Sequence, residues 1–264
     1  MPFYDRVVSS LIGTPLQRPV EQLRWLARLP KQLRHPELRE IYLEPGRMKS
    51  LMRRTITPEM NCIDVGCHLG SVLHEITQLS PNGHHIAVEP VPYKAVWLRR
   101  RFPNVELHQV VLGEENGTVD FFYDPRRSGF SSIGRHRHLG QGTMAIKVKR
   151  KRLDDIVPPS TSIGFLKIDV EGAELHVLRG AQRVLRESQP VVLFECTSSL
   201  ISPLGLTPGQ IFSFLTDEMR YNIFLLKAWF SGGPPLDLVS FEASMAYPFQ
   251  AFNYVAVAGS RDSR

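Results

Sequence analysis

Cysteine is scarce in this chain. The three present, Cys62, Cys67 and Cys196, fit neither a disulfide framework nor a paired-cysteine metal site. A reducing compartment is expected. No apolar stretch reaches the length a bilayer span requires. The start, MPFYDRVVSSLIG, lacks the basic-then-apolar order of a signal peptide. A cytoplasmic protein is therefore expected. Internal repeats and low-complexity tracts are absent as well, which excludes solenoids and disordered tails.

What is present is an ordinary globular composition, 42% hydrophobic and 22% charged over 264 residues. A chain of this size buries roughly three quarters of its unfolded surface, so the core needs no staple. The net charge of +6 fits an anionic partner, whether nucleic acid, a phosphorylated substrate or an anionic membrane surface met peripherally; it fits a solvated basic face equally well.

Two regions differ in pattern. In residues 1–57, Val20, Leu23, Leu26 and Leu29 recur at near-helical spacing, and Pro19, Pro36 and Pro45 punctuate the segment into short helices. We treat it as an N-terminal helical segment, with the main domain at 58–264. From residue 61 strands and helices alternate. Strands are predicted at Cys62–Val65, His84–Val88, Val105–Leu112, Phe165–Val170, Val191–Phe194, Tyr221–Leu226 and Asn253–Ala258. Helices are predicted from Ser71, Pro92, Ala173 and Thr207-Pro208, with a break near Gly180. A hairpin-like insertion fills Gly117–Arg152, where Met144, Ile146 and Val148 alternate with polar neighbours. This order predicts an α/β, Rossmann-like fold: a mostly parallel seven-stranded sheet with helices on both faces. Ligands of such sheets bind at the strands' carboxyl ends.

The first motif there is Asp64-Val65-Gly66-Cys67-His68-Leu69-Gly70, followed by Ser71 at a helix start. Glycines at 66 and 70 permit a sharp turn and close backbone approach. The helix N-terminus suits a carboxylate. S-adenosylmethionine (SAM) offers a carboxylate, together with an amine and a sulfonium that favour nearby acids. A nicotinamide-dependent oxidoreductase would place glycines at 68 and 71 instead. Glu89 ends the second strand, where an acid can bind ribose hydroxyls. The second motif is Lys167-Ile168-Asp169-Val170-Glu171-Gly172-Ala173-Glu174. Its acids face the same crevice mouth, where they can balance a sulfonium or take a proton from an acceptor. Glu174 can equally serve only the helix terminus.

These motifs, with Val88-Glu89-Pro90, Leu178-Arg179-Gly180-Ala181, Leu193-Phe194-Glu195 and the serine-bearing Ser128-Gly129-Phe130-Ser131-Ser132-Ile133, resemble the FkbM family of methyltransferases in their order. The resemblance covers roughly residues 58–258. It implies SAM as donor and O-methylation of a polyketide or sugar hydroxyl, with the acceptor a small molecule or glycan. It places Asp64, Gly66 and Gly70 in the SAM turn, Glu89 at the ribose and Asp169 at the methyl group. One departure is Cys67-His68, where the family usually has Ala-Asn. The cofactor-binding set is thus Asp64, Gly66, Cys67, His68, Gly70, Ser71 and Glu89. As general base Asp169 leads, then Glu171, then Glu195, with Lys167 tuning the acids.

No metal site is expected: His136 and His138 sit among arginines, without an acid nearby. His74, His84 and His85 read as surface residues. The basic clusters Arg99–Arg101 and Lys147–Arg152 lack interleaved aromatics, which disfavours a nucleic-acid substrate, the alternative reading. A binding module that keeps SAM but not catalysis would not need Asp169 and Glu171. Pro203, Leu204, Trp229, Phe230, Phe241 and Tyr247 offer either an apolar acceptor wall or core packing.

Overall fold

The structure is a computed structural model; it describes residues 5, 10–14, 19–20, 30–124, 131–133 and 142–259, with Ser132 described by its backbone alone. The chain enters through a helix, α1 (Arg39–Thr55), then alternates: β1 (Cys62–Val65), α2 (Ser71–Leu79), β2 (His85–Val88), α3 (Pro92–Arg101) and β3 (Glu106–His108). Four strands of a second sheet follow: β4 (Val111–Leu112), β5 (Gly117–Tyr123), β6 (Ser131–Ser132) and β7 (Met144–Lys151). Alternation resumes with β8 (Phe165–Ile168), α4 (Glu174–Arg179), α5 (Gln182–Glu187), β9 (Val191–Glu195), α6 (Ser198–Ile201) and α7 (Pro208–Ser213). It ends with β10 (Tyr221–Leu225), α8 (Leu226–Ser231), α9 (Leu238–Ser244) and β11 (Asn253–Ala258).

The main sheet has seven strands in the order β3-β2-β1-β8-β9-β11-β10. Its pairs are parallel except those of β11, which runs antiparallel to both β9 and β10. The predicted Rossmann-like architecture is thus present, and the direction of strand addition reverses between β1 and β8. That is where a crevice opens beyond the strand ends.

Strand alternation builds two cores. Cys62, Phe165, Leu193 and Val255 face Leu51, Met52, Ile76 and Leu226 of α1, α2 and α8. Ile63, Leu166, Phe194 and Tyr254 face the other way, toward Leu175, Leu178, Val184, Ile211 and Phe241 of α4, α5, α7 and α9. The central strands are buried on both faces, which explains their continuous apolar runs. The three cysteines are buried and unpaired.

Three expectations need correction, and one open alternative is decided. Pro45 does not end a helix: α1 runs through it. An interior proline removes one helical hydrogen bond, but tertiary contacts hold this turn. The buried Glu44 carboxylate accepts from the Phe252 and Asn253 backbone N–H groups and from the Asn253 amide, at 2.8–3.0 Å. The predicted third strand, Val105–Leu112, is split. It leaves the large sheet after His108, and Val111–Leu112 pairs with β7 instead. His85 is buried, with Nε2 2.7 Å from the Ser80 carbonyl, because β2 lies inside the sheet rather than at its edge. Phe241 belongs to the core beside Tyr254, Trp229 and Phe230 pack under α1, and Tyr247 is exposed. None of these aromatics lines the cavity described below. The helix predicted at Thr207-Pro208 forms as expected, closed by a reciprocal cap between Thr207 and Gln210.

Candidate active site

The site begins with the turn after β1. Gly66 has φ of 76°, and a Cβ there would lie 1.8 Å from the Asp169 carbonyl oxygen. Only glycine permits this contact between the two motif loops. The Gly66 and Cys67 N–H groups donate to the Val88 carbonyl, and the Asp169 N–H donates to the Val65 carbonyl, so main-chain bonds tie the ends of β1, β2 and β8 together. Gly70, at φ 85°, starts α2; a side chain there would collide with Phe102 and Leu98. Its role is to seat α2 on α3, away from the cavity.

His68 also lies in the left-handed region, at φ 51°. Such a conformation costs a non-glycine residue about 1 kcal/mol. The turn is held by Glu89, whose Oε2 accepts the His68 N–H at 3.0 Å and whose Oε1 accepts the Val91 N–H at 2.9 Å. Each carboxylate oxygen keeps further acceptor capacity for a ligand hydroxyl. Burial pushes the Glu89 carboxyl above its usual range, and the Lys94 ammonium opposes that push.

β8 supplies the charged centre. Lys167 pairs in register with Asp64 and projects from the same face. Its Nζ lies 3.1 Å from Asp169 Oδ2, 3.5 Å from Asp64 Oδ1 and 3.4 Å from the Gly66 carbonyl. Burial would discharge this ammonium, but Asp169 and then Asp64 outweigh it and hold the pKa above the ordinary lysine value. Asp64 is wholly buried behind Lys167. It acts as the inner half of an ion pair and does not reach the cavity.

After Asp169 the chain makes a second left-handed turn, through Glu171 at φ 56° and Gly172 at φ 106°. A Cβ on Gly172 would lie 2.2 Å from the Leu200 carbonyl oxygen. The Glu174 Oε1 accepts the N–H groups of Val170 and Gly172, both at 3.1 Å. Glu174 is therefore the clamp of this loop, and burial raises its carboxyl to about 7. Glu195 ends β9, beside Asp169, because Ile168 and Phe194 are neighbours in register. Asp169, Glu171 and Glu195 each bring a carboxylate oxygen within 4.8 Å of the others. Carboxylates this close resist ionising together. Burial first, and then the charge of Asp169, push Glu171 up to about 8 and Glu195 up to about 10; Glu195 also shares a hydrogen bond with Asp169.

A cavity of about 300 Å³ lies in front of these groups. Gly66, Cys67, His68, Ser71, Glu89, Lys167, Asp169 and Glu171 all line it. The structure thus brings together eight of the eleven residues that the motifs indicate; Asp64 and Gly70 support them from behind, and Glu195 stands behind Asp169. The roof is Val110, Val111, Leu112, Phe121, Ser131 and Ile133, brought over the cavity by the second sheet; the sequence marked Ser131 and Ile133 through the serine-bearing loop but not Val110, Val111 or Leu112. The sequence reading also missed Lys94, buried on the first turn of α3 at the cavity edge. Its neighbour Glu89, five residues earlier, was the available signal. Of the serine-bearing loop, Ser131 and Ile133 reach the cavity; 128–130 lie outside the described residues, as do His136 and His138.

Part of the basic run at 147–152 is engaged locally. Lys147 pairs with Asp120, Arg150 with Glu115 and Arg152 with Asp154.

The sequence matches the methyltransferase FkbM domain over residues 64–223. It is 28% identical over 149 residues to the 2-O-methyltransferase NoeI of Sinorhizobium fredii, covering 50% of this chain and 61% of that protein. It is also 28% identical over 141 residues to methyltransferase 1 of Beauveria bassiana, covering 45% of this chain and 57% of that one. Each match therefore spans less than two thirds of the curated relative. Among solved structures, a methyltransferase FkbM from Methylobacillus flagellatus aligns with a TM-score of 0.49 at 16% identity, over 76% of this chain and 44% of that one. The family match takes in both strained turns, Glu89 and the three clustered carboxyls, and it spans more than half of the sequence: the chain belongs to the FkbM methyltransferase family.

Proposed function

We propose that this protein is a SAM-dependent methyltransferase that methylates a hydroxyl of a sugar, glycolipid or polyketide-type small molecule. One observation carries the reading: the glycine turn at 66, the Glu89 carboxylate and the Asp169 cluster, distant in sequence, line one cavity at the switch point of the sheet. The residues present fit SAM. The first-turn N–H groups of α2, at Ser71 and Val72, lack helical partners and suit its carboxylate. Glu89 suits ribose hydroxyls. Val110 and Val111 offer an apolar surface for a flat base. The acids around Asp169 suit a positive sulfur.

When bound, SAM supplies an electrophilic methyl group on a sulfonium. The chain's own part is alignment, exclusion of water and proton handling. Asp169 is the strongest candidate for taking the acceptor's proton. It lines the cavity, 38% of its side chain is exposed, and Lys167 Nζ holds its Oδ2 at 3.1 Å. Glu171 and Glu195 favour the protonated form near neutrality. That suits holding a proton rather than taking one. The O-methyl name of one relative supports oxygen as acceptor. A nucleic-acid acceptor is disfavoured because the basic run at 147–152 has no interleaved aromatic, and three of its five cations, Lys147, Arg150 and Arg152, already have acidic partners.

The test has two parts. Calorimetry with SAM and with its demethylated product should show binding to the folded protein. Radiolabel from SAM should then pass to the glycolipid or small-molecule fraction of a cell extract, and not to the RNA pool. Label in RNA alone would overturn the acceptor class, and no binding of either ligand would overturn the cofactor.

A further inference from the structure

The cavity is lined by two carboxyls of the three-acid cluster, Asp169 and Glu171, which on the cofactor reading face the reacting centre. Donor and spent donor differ there by one full charge. SAM carries a sulfonium, whereas its product S-adenosylhomocysteine (SAH) carries a neutral thioether. A carboxyl that is ionised in one complex and protonated in the other can therefore tell them apart. We propose that Glu171 is a specificity-determining residue of this kind: it releases its proton when the cationic donor enters and keeps it beside the neutral product. This inference rests on the cofactor reading above and deepens it.

The geometry singles out Glu171 among the clustered acids. It lines the cavity, whereas Glu195 stands behind Asp169 and does not. Glu174 faces away, committed to the N–H groups of Val170 and Gly172. Asp169 already has a fixed cationic partner in Lys167 Nζ at 3.1 Å. Glu171 is fixed by the left-handed turn at φ 56°. The charged and titratable groups acting on it come from its own loop (Asp169), α4 (Glu174), β8 (Lys167), α3 (Lys94) and β9 (Glu195). Burial and the two nearest acids raise its carboxyl to about 8, while Lys167 and Lys94 pull the other way. A positive charge arriving within about 4–6 Å lowers such a carboxyl by roughly 1–3 units. The midpoint then crosses neutrality. The proton passes from Glu171 to the buffer, and no ligand bond is made or broken in this step.

Proton release makes SAM affinity rise with pH, while SAH affinity stays flat. Between pH 6 and 8 the preference for SAM over SAH should grow by up to about tenfold per pH unit. The product is then weakly retained and the donor readily replaces it.

The experiment is titration calorimetry of the full chain with SAM and with SAH, each in two buffers of different ionisation enthalpy at pH 7. The slope gives protons released. The expected result is roughly 0.4–0.9 proton per SAM and near zero per SAH. Glu171→Gln should bind both ligands with no release, and Glu195→Gln should leave the SAM count unchanged. Equal counts for both ligands in the wild type would overturn the proposal, as would release that survives Glu171→Gln or disappears in Glu195→Gln. Heat without differential release would leave the cofactor reading standing and remove this one alone. Absence of heat with either ligand on folded protein would remove both.

Discussion

The floor and the roof of the cavity are built by different means. The floor is main chain: two left-handed turns, at 66–70 and 171–172, locked by hydrogen bonds among Val65, Val88, Gly66 and Asp169. The roof is side chain: Val111, Phe121 and Val148 form a small apolar cluster on the second sheet, beneath which Ile133 and Ser131 reach the cavity. A floor of this kind admits almost no substitution at its contact points. A roof of this kind tolerates changes of shape that keep it apolar. The consequence is a division of labour. On the function proposed above, the floor holds the cofactor's charged and ribose groups, Val110 and Val111 of the roof meet its base, and the rest of the roof is free to follow the acceptor.

Substitutions that strike one side and spare the other would sharpen that contrast. The largest effect is expected for Gly66→Ala, whose Cβ would lie 1.8 Å from the Asp169 carbonyl oxygen. We expect a loss of more than about 3 kcal/mol of stability, or failure to fold, measured by thermal or urea unfolding. Tolerance of alanine there would mean that the two loops are not locked. Phe121→Ala empties the roof, where the ring is 4% exposed. It should cost about 3 kcal/mol by the same measurement, and a trimmed roof should weaken acceptor binding more than SAM binding. If SAM affinity alone fell, Phe121 would belong to the floor's function.

Asp169→Asn keeps the shape of the floor and removes the base proposed for it. Turnover should drop about 100-fold, with SAM affinity little changed, in steady-state and binding assays. Equal losses in both would make Asp169 a cofactor ligand. The smallest effect concerns pH. The Glu171 carboxyl lies above its usual value, at about 8, so the folded state holds its proton longer than the unfolded chain does. Stability drawn from this group is present below the unfolded value near 4.3 and is lost as pH rises toward 8. Glu171→Gln should therefore raise the melting temperature by a few degrees at pH 8.5 and change it little at pH 4. A lower melting temperature at pH 8.5 would show that the charged form is the stabilising one.

The floor was legible in the sequence, and of the roof only the serine-bearing loop with Ser131 and Ile133. Glycine before a helix and acids at strand ends are local signals. They report backbone geometry, and Gly66, Glu89 and Asp169 stand where those signals place them. The roof depends on a topological event, the departure of the chain from the large sheet after His108, which redirects Val111 to β7. Apolar periodicity is the same in either sheet. Lys94 and His85 were missed for a related reason: burial of a polar side chain depends on what another element lays over it. Glu174 could be placed at a helix start, but its grip on Val170 and Gly172 follows from the turn between them. Pro45 read as a stop because proline penalises helices locally, and the opposing grip of Glu44 on Phe252 and Asn253 lies some two hundred positions away.

The position of β11 bears on how the molecule is made. It follows both of its neighbours in the chain yet lies between them, antiparallel, and α1 seizes its first residue through Glu44. During synthesis β9 and β10 must therefore wait with an open seam, and α1 with a buried acid unsatisfied, until Asn253–Ala258 emerges. β11, translated after both of its neighbours, is the keystone, and a nascent chain halted before it would expose sticky sheet edges that invite chaperones or aggregation.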